Sequence, residues 1–320
     1  MSDRIVDVAA GLILRPDGQL LLGQRPEGKP WAGWWELPGG KLEPGETVLQ
    51  ALARELREEI GIEVTQAVPW VTYVHAYPHT TVRLAFCHVT GWQGEPRGLE
   101  NQRLEWVDPA RADAVGDLLP ATLPPLRWLQ LPPAYGISSI GGRAGLPAFQ
   151  ERLDRALARG LKLVQLREPG WPDGAGATSL RDAMQAVLRQ CRAAGARLLV
   201  NSAHPAAWWR QADGVHLRWA DAATLHARPD LPAGALVGVS GHDNAQVAHA
   251  RDIGADFAVL GPVLDTPSHP GQPPLGWPGF VAGNRDAGLP VYALGGQSAD
   301  TLNDARQHGA HGIAGIRGLI

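Results

Sequence analysis

Three glutamates in the first fifth of the chain stand where they could hold a divalent cation. Residues 40–62 read GKLEPGETVLQALARELREEIGI. Residues 47–60 lack Gly and Pro, and Val48, Leu52, Leu56 and Ile60 recur every fourth position, which predicts an amphipathic helix burying that stripe. At 3.6 residues per turn, Glu55, Glu58 and Glu59 then fall within an arc of about 100° on another side. Like charges so spaced cost an isolated helix roughly 0.2–0.5 kcal/mol per pair. A hard divalent ion would reverse that penalty, Mg2+ or in its place Mn2+, shared with the phosphate oxygens of a substrate. Without an ion, the same residues would be a solvated acidic face partly neutralised by Arg54 and Arg57.

The segment fills the pattern G-x5-E-x7-R-E-U-x-E-E-x-G-U, with U aliphatic, at Gly40, Glu46, Arg54, Glu55, Leu56, Glu58, Glu59, Gly61 and Ile62. It therefore resembles the Nudix box, and the surrounding residues resemble the MutT branch of that family. Upstream, VDVAAGLILRPDGQLLLGQRP reads as two alternating strands joined at Asp17-Gly18. Downstream, residues 82–92 and 104–108 read as two more strands. The resemblance implies an α/β/α sandwich around a mixed sheet and hydrolysis of a diphosphate linked to another moiety. It also implies metal ligation by Glu55, Glu58, Glu59, the Gly39 carbonyl and, from the loop GEPRGLENQ, Glu100. One of the glutamates serves as base; the sequence leaves open which. Arg25, Glu36, Leu37, Pro38 and Gly39 fall along the implied nucleotide pocket. Where the MutT segment carries a base-reading asparagine after Pro-Ala, this chain has Thr122, whose hydroxyl cannot offer the paired donor and acceptor of an amide. The implied substrate is an oxidised nucleotide such as 8-oxo-dGTP, converted to the monophosphate and pyrophosphate; that is a nucleotide-pool cleansing activity serving DNA replication and repair. Trp31, Trp34 and Trp35 precede the Pro-Gly-Gly turn, where they either stack on a base or pack the loop.

These residues need a scaffold, and the chain is long enough for two. At 320 residues with 44% hydrophobic content it can build large cores. Pro120, Pro124, Pro125, Pro132 and Pro133 mark a boundary, with a short helix over 123–129. The expected division is a Nudix domain over 1–130, a linker over 131–133 and a second domain over 134–320. In the second part, strand-like and helix-like stretches alternate through eight strands and seven helices, which predicts a compact (β/α)8 barrel. No eighth helix follows residues 312–316, so that flank calls for cover from the first domain, from the 123–129 segment or from a second copy in a homodimer.

The strings VQLRE, VNSAH, DGVHL, VGVSGHD, AVLGPV and ALGG, at the ends of these strands, resemble those of the thiamine-phosphate synthase and TenI family. The resemblance points to a barrel pocket built from Gln165, Arg167, Asn201, His216, Asp221, Ser240, His242, Gly295 and Gly296, and to a phosphorylated thiazole- or pyrimidine-like ligand. Against that family's pattern, Pro169 replaces a pyrophosphate-binding lysine and Ser202 a metal-binding aspartate. Its Thr-x-Thr-Lys segment survives only as Thr266, Pro267, Ser268 and His269. Synthase turnover is therefore not expected. Other arrangements fit the same residues: a Nudix site acting on thiamine-related pyrophosphates, a bifunctional hydrolase and synthase, or a barrel that only scaffolds.

A net charge of −3 offers no basic field for a nucleic-acid polymer. The only cysteines, Cys87 and Cys191, fall in different domains and suggest neither a disulfide nor a metal site. The N-terminus, with Asp3, Arg4 and Asp7, lacks the apolar core of a signal peptide, and no apolar run is long enough to span a membrane. A cytoplasmic location is the resulting expectation.

Overall fold

The computed structural model describes residues 5–266 and 273–320. Asp3, Arg4, Pro267, Ser268 and His269 lie outside the described residues. Contacts divide the chain into Met1–Leu131 and Pro132–Ile320.

In the first unit, strands β1 (Ile5–Ile13), β2 (Leu20–Gln24), β3 (Trp35–Glu36) and β4 (Gly39–Lys41) precede helix α1 (Val48–Ile60). Strands β5 (Glu63–Tyr77), β6 (Thr80–Gln93) and β7 (Leu104–Val107) and helix α2 (Leu123–Trp128) come after it. A four-stranded mixed sheet runs β4-β1-β6-β5 and a three-stranded antiparallel sheet runs β3-β2-β7. The β1 and β2 strands are buried on both faces. Leu12, Leu20 and Leu22 join Trp35, Phe86 and Leu126 in one core, while Ile13 and Leu21 join Leu52, Leu56 and Ile60 of α1 in another. Full burial of each such Leu or Ile is worth about 1.5–3 kcal/mol, and this is what seats the helix on the sheet.

The ends of α1 explain three residues of the motif segment. Thr47 and Gln50 form a reciprocal capping box, with Thr47 N–H donating to Gln50 Oε1 at 2.9 Å and Gln50 N–H to Thr47 Oγ1 at 3.3 Å. At the far end Gly61 takes φ 71°, a left-handed cap that sends its N–H to Arg57 O.

Two sequence expectations change here. The Asp17-Gly18 turn forms, but β1 and β2 meet only at a Leu14–Leu20 bridge and then diverge into separate sheets. Alternation shows strands without naming their partners. The 15-residue β5 was not anticipated, since Pro69 in its middle argues against a strand. β5 is an edge strand, and its pairing with β6 shifts register between Pro69 and Val71, so the missing N–H costs no interior hydrogen bond.

The second unit alternates β8 (Ala134–Ile137), α3 (Leu146–Ala158), β9 (Leu163–Leu166), α4 (Thr178–Ala193), β10 (Arg197–Asn201), α5 (Ala206–Trp209), β11 (Gly214–Leu217) and α6 (Trp219–Ala222). It continues through β12 (Leu236–Gly241), α7 (Asn244–Asp252), β13 (Phe257–Leu260), α8 (Gly276–Gly283), β14 (Val291–Leu294), α9 (Leu302–Gln307) and β15 (Gly312–Gly315). The eight strands close into a parallel barrel. The helix expected over 221–227 shrinks to one turn, and Pro229, Pro232 and Gly234 keep the chain beyond it from resuming a helix. Pro132 and Pro133 are held by the barrel rather than standing free of it: their carbonyls accept from Tyr292 Oη–H at 2.5 Å and Ile313 N–H at 2.9 Å. Beyond β15, Leu319 packs into one barrel core and Ile320 against the other, beside Gly136 and Leu161. Cys87 and Cys191 are buried, and burial pushes both thiols up to about 12, so they are unreactive. No helix among the described residues is long and apolar enough to cross a membrane.

Candidate active site

In the first unit, one cleft of about 1000 Å³ is lined by Glu55, Glu58 and Glu59, by Glu36 and Glu100, and by Arg25, Leu37, Gly39 and Thr122. The structure thus gathers all the candidate residues of this unit except Pro38, whose carbonyl instead accepts from Gly11 N–H at 2.8 Å within the sheet.

Two glycines allow the carboxylates to approach the strand. A Cβ on Gly39 would lie 2.1 Å from Ala9 O, and its φ of +143° is one that side-chain-bearing residues rarely adopt. A Cβ on Gly40 would lie 2.2–2.5 Å from the Glu55 carboxyl atoms. With both side chains absent, Glu55 rests against β4 and Glu59 Oε2 accepts from Gly39 N–H at 2.9 Å.

Arg54 organises the acidic wall. Its guanidinium grips Glu46 through two bonds at 2.8 and 2.9 Å, reaches Glu55 at 2.9 Å and Glu58 at 3.3 Å, and donates to Lys41 O at 3.0 Å. The Arg54 hydrogen bonds pull the Glu46 carboxyl down to about 2 and raise the guanidinium pKa. Glu59 goes the other way. Burial drives its pKa up to about 7; the Gly39 N–H opposes this, while nearby Glu36 and Glu100 add to it. Burial likewise raises Glu36 against the pull of Arg25.

Among the described residues, no three His, Cys, Asp or Glu side chains converge as a metal cluster in this conformation. The donor chemistry nevertheless fits a divalent cation. Hard carboxylates share the cleft with the Gly39 turn, and the half-buried Glu59 sits near like charges that such an ion would balance.

The aromatic residues of the same cleft suit a nucleoside. Trp31 and Tyr77 stand 6.1 Å apart and line the cleft, and Trp31 also packs edge-on against Trp34 at 4.8 Å. Trp35 is 2% exposed and belongs to the core. Thr122 lines the cleft from a buried position. Arg25 is already engaged: Nη1 reaches both oxygens of Glu36 at 2.7 and 2.6 Å, and Nε donates to Pro30 O at 2.7 Å. It therefore holds the loop that carries Lys29 and Trp31. Sequence reasoning missed Lys29 and Tyr77 as cleft residues; neither belongs to a spacing pattern.

The barrel encloses a second cavity of about 450 Å³. Gln165, Arg167, Asn201, His216, Ser240, His242, Gly295 and Gly296 line it, with Thr266. Asp221 does not. Its carboxylate accepts from Ser202 Oγ–H at 2.5 Å and from Arg218 Nε–H at 2.7 Å; burial works to raise its pKa, but these partners outweigh it and the pKa falls. Arg218 and Arg317 also line the cavity. Position just past a strand's C-terminal end was the signal that would have found both.

A directional hydrogen-bond chain crosses the barrel interior. Asn201 Nδ2–H donates to Gln165 Oε1 at 2.8 Å, and Gln165 Nε2–H donates to Tyr135 Oη at 3.1 Å. The phenol proton then faces His216 Nδ1 at 3.2 Å, which assigns the ring proton to Nε2, 2.8 Å from Ser240 Oγ. Burial, aided by Arg167, lowers the His216 pKa to about 3. The folded ring therefore stays neutral where an unfolded histidine, at about 6.5, takes up a proton. Stability from this source is complete above pH 6.5 and falls as the pH drops toward 3, by up to ~1.4 kcal/mol per unit. Thermal midpoints between pH 7 and 5 should decline accordingly, and His216→Gln should flatten the slope. An unchanged slope in the variant would remove His216 from this role.

Two protein-family models match the chain. One, described as NUDIX domain, covers residues 4–129, and the other, described as thiamine monophosphate synthase, covers residues 140–319. An 8-oxo-dGTP diphosphatase of Haemophilus influenzae is 44% identical over 121 residues, 38% of this chain and 88% of that protein. A CTP pyrophosphohydrolase of Escherichia coli is 40% identical over 121 residues, with the same shares. A putative thiamine-phosphate synthase of Geobacter sulfurreducens is 38% identical over 169 residues, 52% of this chain and 78% of that protein.

Proposed function

Because the chain belongs to the NUDIX family in its first unit and to the thiamine monophosphate synthase family in its second, we propose that it hydrolyses an oxidised deoxynucleoside triphosphate such as 8-oxo-dGTP, while the barrel binds a phosphorylated small molecule without making thiamine phosphate. The chain is a hydrolase acting on phosphoric anhydride bonds, and similarity to nucleotide-cleaving relatives supports a nucleotide pyrophosphohydrolase. The observation that carries the finer reading is the single cleft, acidic on the Glu55–Glu59 side and aromatic at Trp31 and Tyr77.

Nudix hydrolases generally work with divalent metal ions; Mg2+ suits this set of oxygen donors, with Mn2+ as substitute. Glu55, Glu58, Glu59, Glu100 and the Gly39 carbonyl would hold it. Bound there, the ion would neutralise charge on the phosphate oxygens as the anhydride opens. The chain's own part is to place the triphosphate along this wall, to orient a water toward phosphorus, and to take that water's proton onto a glutamate as pyrophosphate departs. Trp31 and Tyr77 would hold the base, at about 1–3 kcal/mol for a stacked ring.

Base choice rests on Thr122. The 320-residue chain in Mg2+ should turn over 8-oxo-dGTP faster than dGTP or CTP, with the first ratio widening in Thr122→Asn by about tenfold, the worth of one added hydrogen bond. A ratio of kcat/KM unmoved by that substitution would remove Thr122 from recognition, and a preference for CTP would replace the proposed substrate.

For the barrel, Pro169 and Ser202 stand where the synthases have charged ligands, and Asp221 is engaged with Arg218 outside the cavity lining. Backbone N–H groups at Gly295-Gly296, with Arg167, Arg218 and Arg317, still suit a single phosphate. The full chain should form no thiamine phosphate from pyrimidine pyrophosphate and thiazole phosphate. Sustained formation would make the protein bifunctional.

A further inference from the structure

Lys29 pairs with Glu100, 71 positions later in the chain, in the first unit's cleft. Both residues line the cleft, and neither loop is loose at its root. The Lys29 loop is tied to Arg25, whose side chain binds Pro30 O and Glu36 and whose backbone carbonyl accepts from Gly33 N–H at 2.9 Å. The Glu100 loop is bolted to the end of α1. Leu99 N–H and Gln102 Nε2–H both donate to Glu59 O, at 3.0 and 2.8 Å, and Gln102 Oε1 accepts from Glu100 N–H at 2.8 Å. Glu100 is thereby fixed beside Glu59, with its carboxylate occupied by a lysine.

We infer that Lys29 is a phosphate-binding latch: it masks Glu100 before substrate arrives and transfers to the polyphosphate, freeing Glu100 for the cation. This rests on the metal-dependent reading of the cleft. The lysine and glutamate side chains are 48% and 45% exposed, and ion pairs so hydrated are weak. Each partner has a stronger alternative. A triphosphate concentrates more negative charge for Lys29 than one carboxylate does, and a divalent ion offers Glu100 twice the charge of an ammonium. Either ligand alone must break the pair without rewarding both halves, whereas the two together satisfy both. Cation and nucleotide should therefore bind cooperatively through Lys29.

The test uses the full chain, Mn2+ alone and the non-hydrolysable α,β-methylene analogue of dGTP, with affinities read by calorimetry. Lys29→Met should bind Mn2+ about three- to tenfold more tightly without nucleotide, and the analogue more weakly by a similar factor with Mn2+ saturating, as for loss of one charge pair. A general effect of removing a positive charge would persist when Glu100 is replaced. In a Glu100→Gln background the gain in Mn2+ affinity should instead disappear. Unchanged or weaker Mn2+ binding by Lys29→Met, or a gain that survives Glu100→Gln, overturns the latch while leaving the metal site standing. Failure of wild type and variant alike to bind Mn2+ removes the metal site and the latch together.

Discussion

Glu59→Gln should leave the full chain folded and lower kcat by about 10²–10³-fold, the range seen when one electrostatic contributor to a transition state is lost. The fold is expected to survive because the amide oxygen can still accept the 2.9 Å bond from Gly39 N–H. It also removes a half-buried carboxyl whose charge is disfavoured by Glu36 and Glu100, so the thermal midpoint should not fall. Glu58→Gln should match it in activity for a different structural reason. That side chain is 62% exposed, and its one described contact is Arg54 at 3.3 Å, so almost nothing in the fold depends on it. Wild-type turnover by both variants in saturating Mg2+ would show that the acidic wall holds no catalytic ion.

The paired glycines yield the second large effect, and it separates fold from function. In Gly40→Ala the new methyl meets the Glu55 carboxyl at 2.2–2.5 Å. That carboxyl is the far end of a flexible side chain and can swing away, so stability should change little while kcat/KM falls by about 10²-fold through a displaced ligand. Gly39→Ala places its methyl 2.1 Å from the Ala9 carbonyl oxygen at φ +143°, where only backbone could give way. About 2–4 kcal/mol of destabilisation is expected there, as for other severe backbone strain. Paired melting and activity measurements check both variants. A fully active Gly40→Ala protein would contradict the placement of Glu55.

The acidic helix was legible because its chemistry, its buried stripe and its caps all lie within one short segment. Elements whose reason lies elsewhere in the fold were not. Pro69 concealed β5, since only the three-dimensional arrangement shows that strand to be an edge. The turn at Asp17-Gly18 could be read, but the divergence of its two strands into separate sheets could not. Lys29 and Tyr77 enter the cleft by loop and hairpin geometry that no local pattern encodes. In the barrel, the strand-end residues Gln165, Asn201, His216 and Ser240 line one cavity. Asp221 lies outside that lining, its carboxylate paired with Arg218 three positions earlier. The same arginine lines the cavity, so the charge there is more positive than the lost lysines alone would suggest.

We propose cleavage of nucleotides by the first unit at an internal anhydride bond, with a cation held by Glu55, Glu58 and Glu59. It is tested most directly by resolving the products formed when the full chain is incubated with 8-oxo-dGTP, with thiamine-pathway pyrophosphates run alongside, each with Mg2+ and with excess chelator. Nucleoside monophosphate and pyrophosphate should form from 8-oxo-dGTP, and only in the presence of Mg2+. Release of diphosphate and orthophosphate, turnover undiminished by chelation, or hydrolysis confined to the thiamine-related compounds would contradict this proposal.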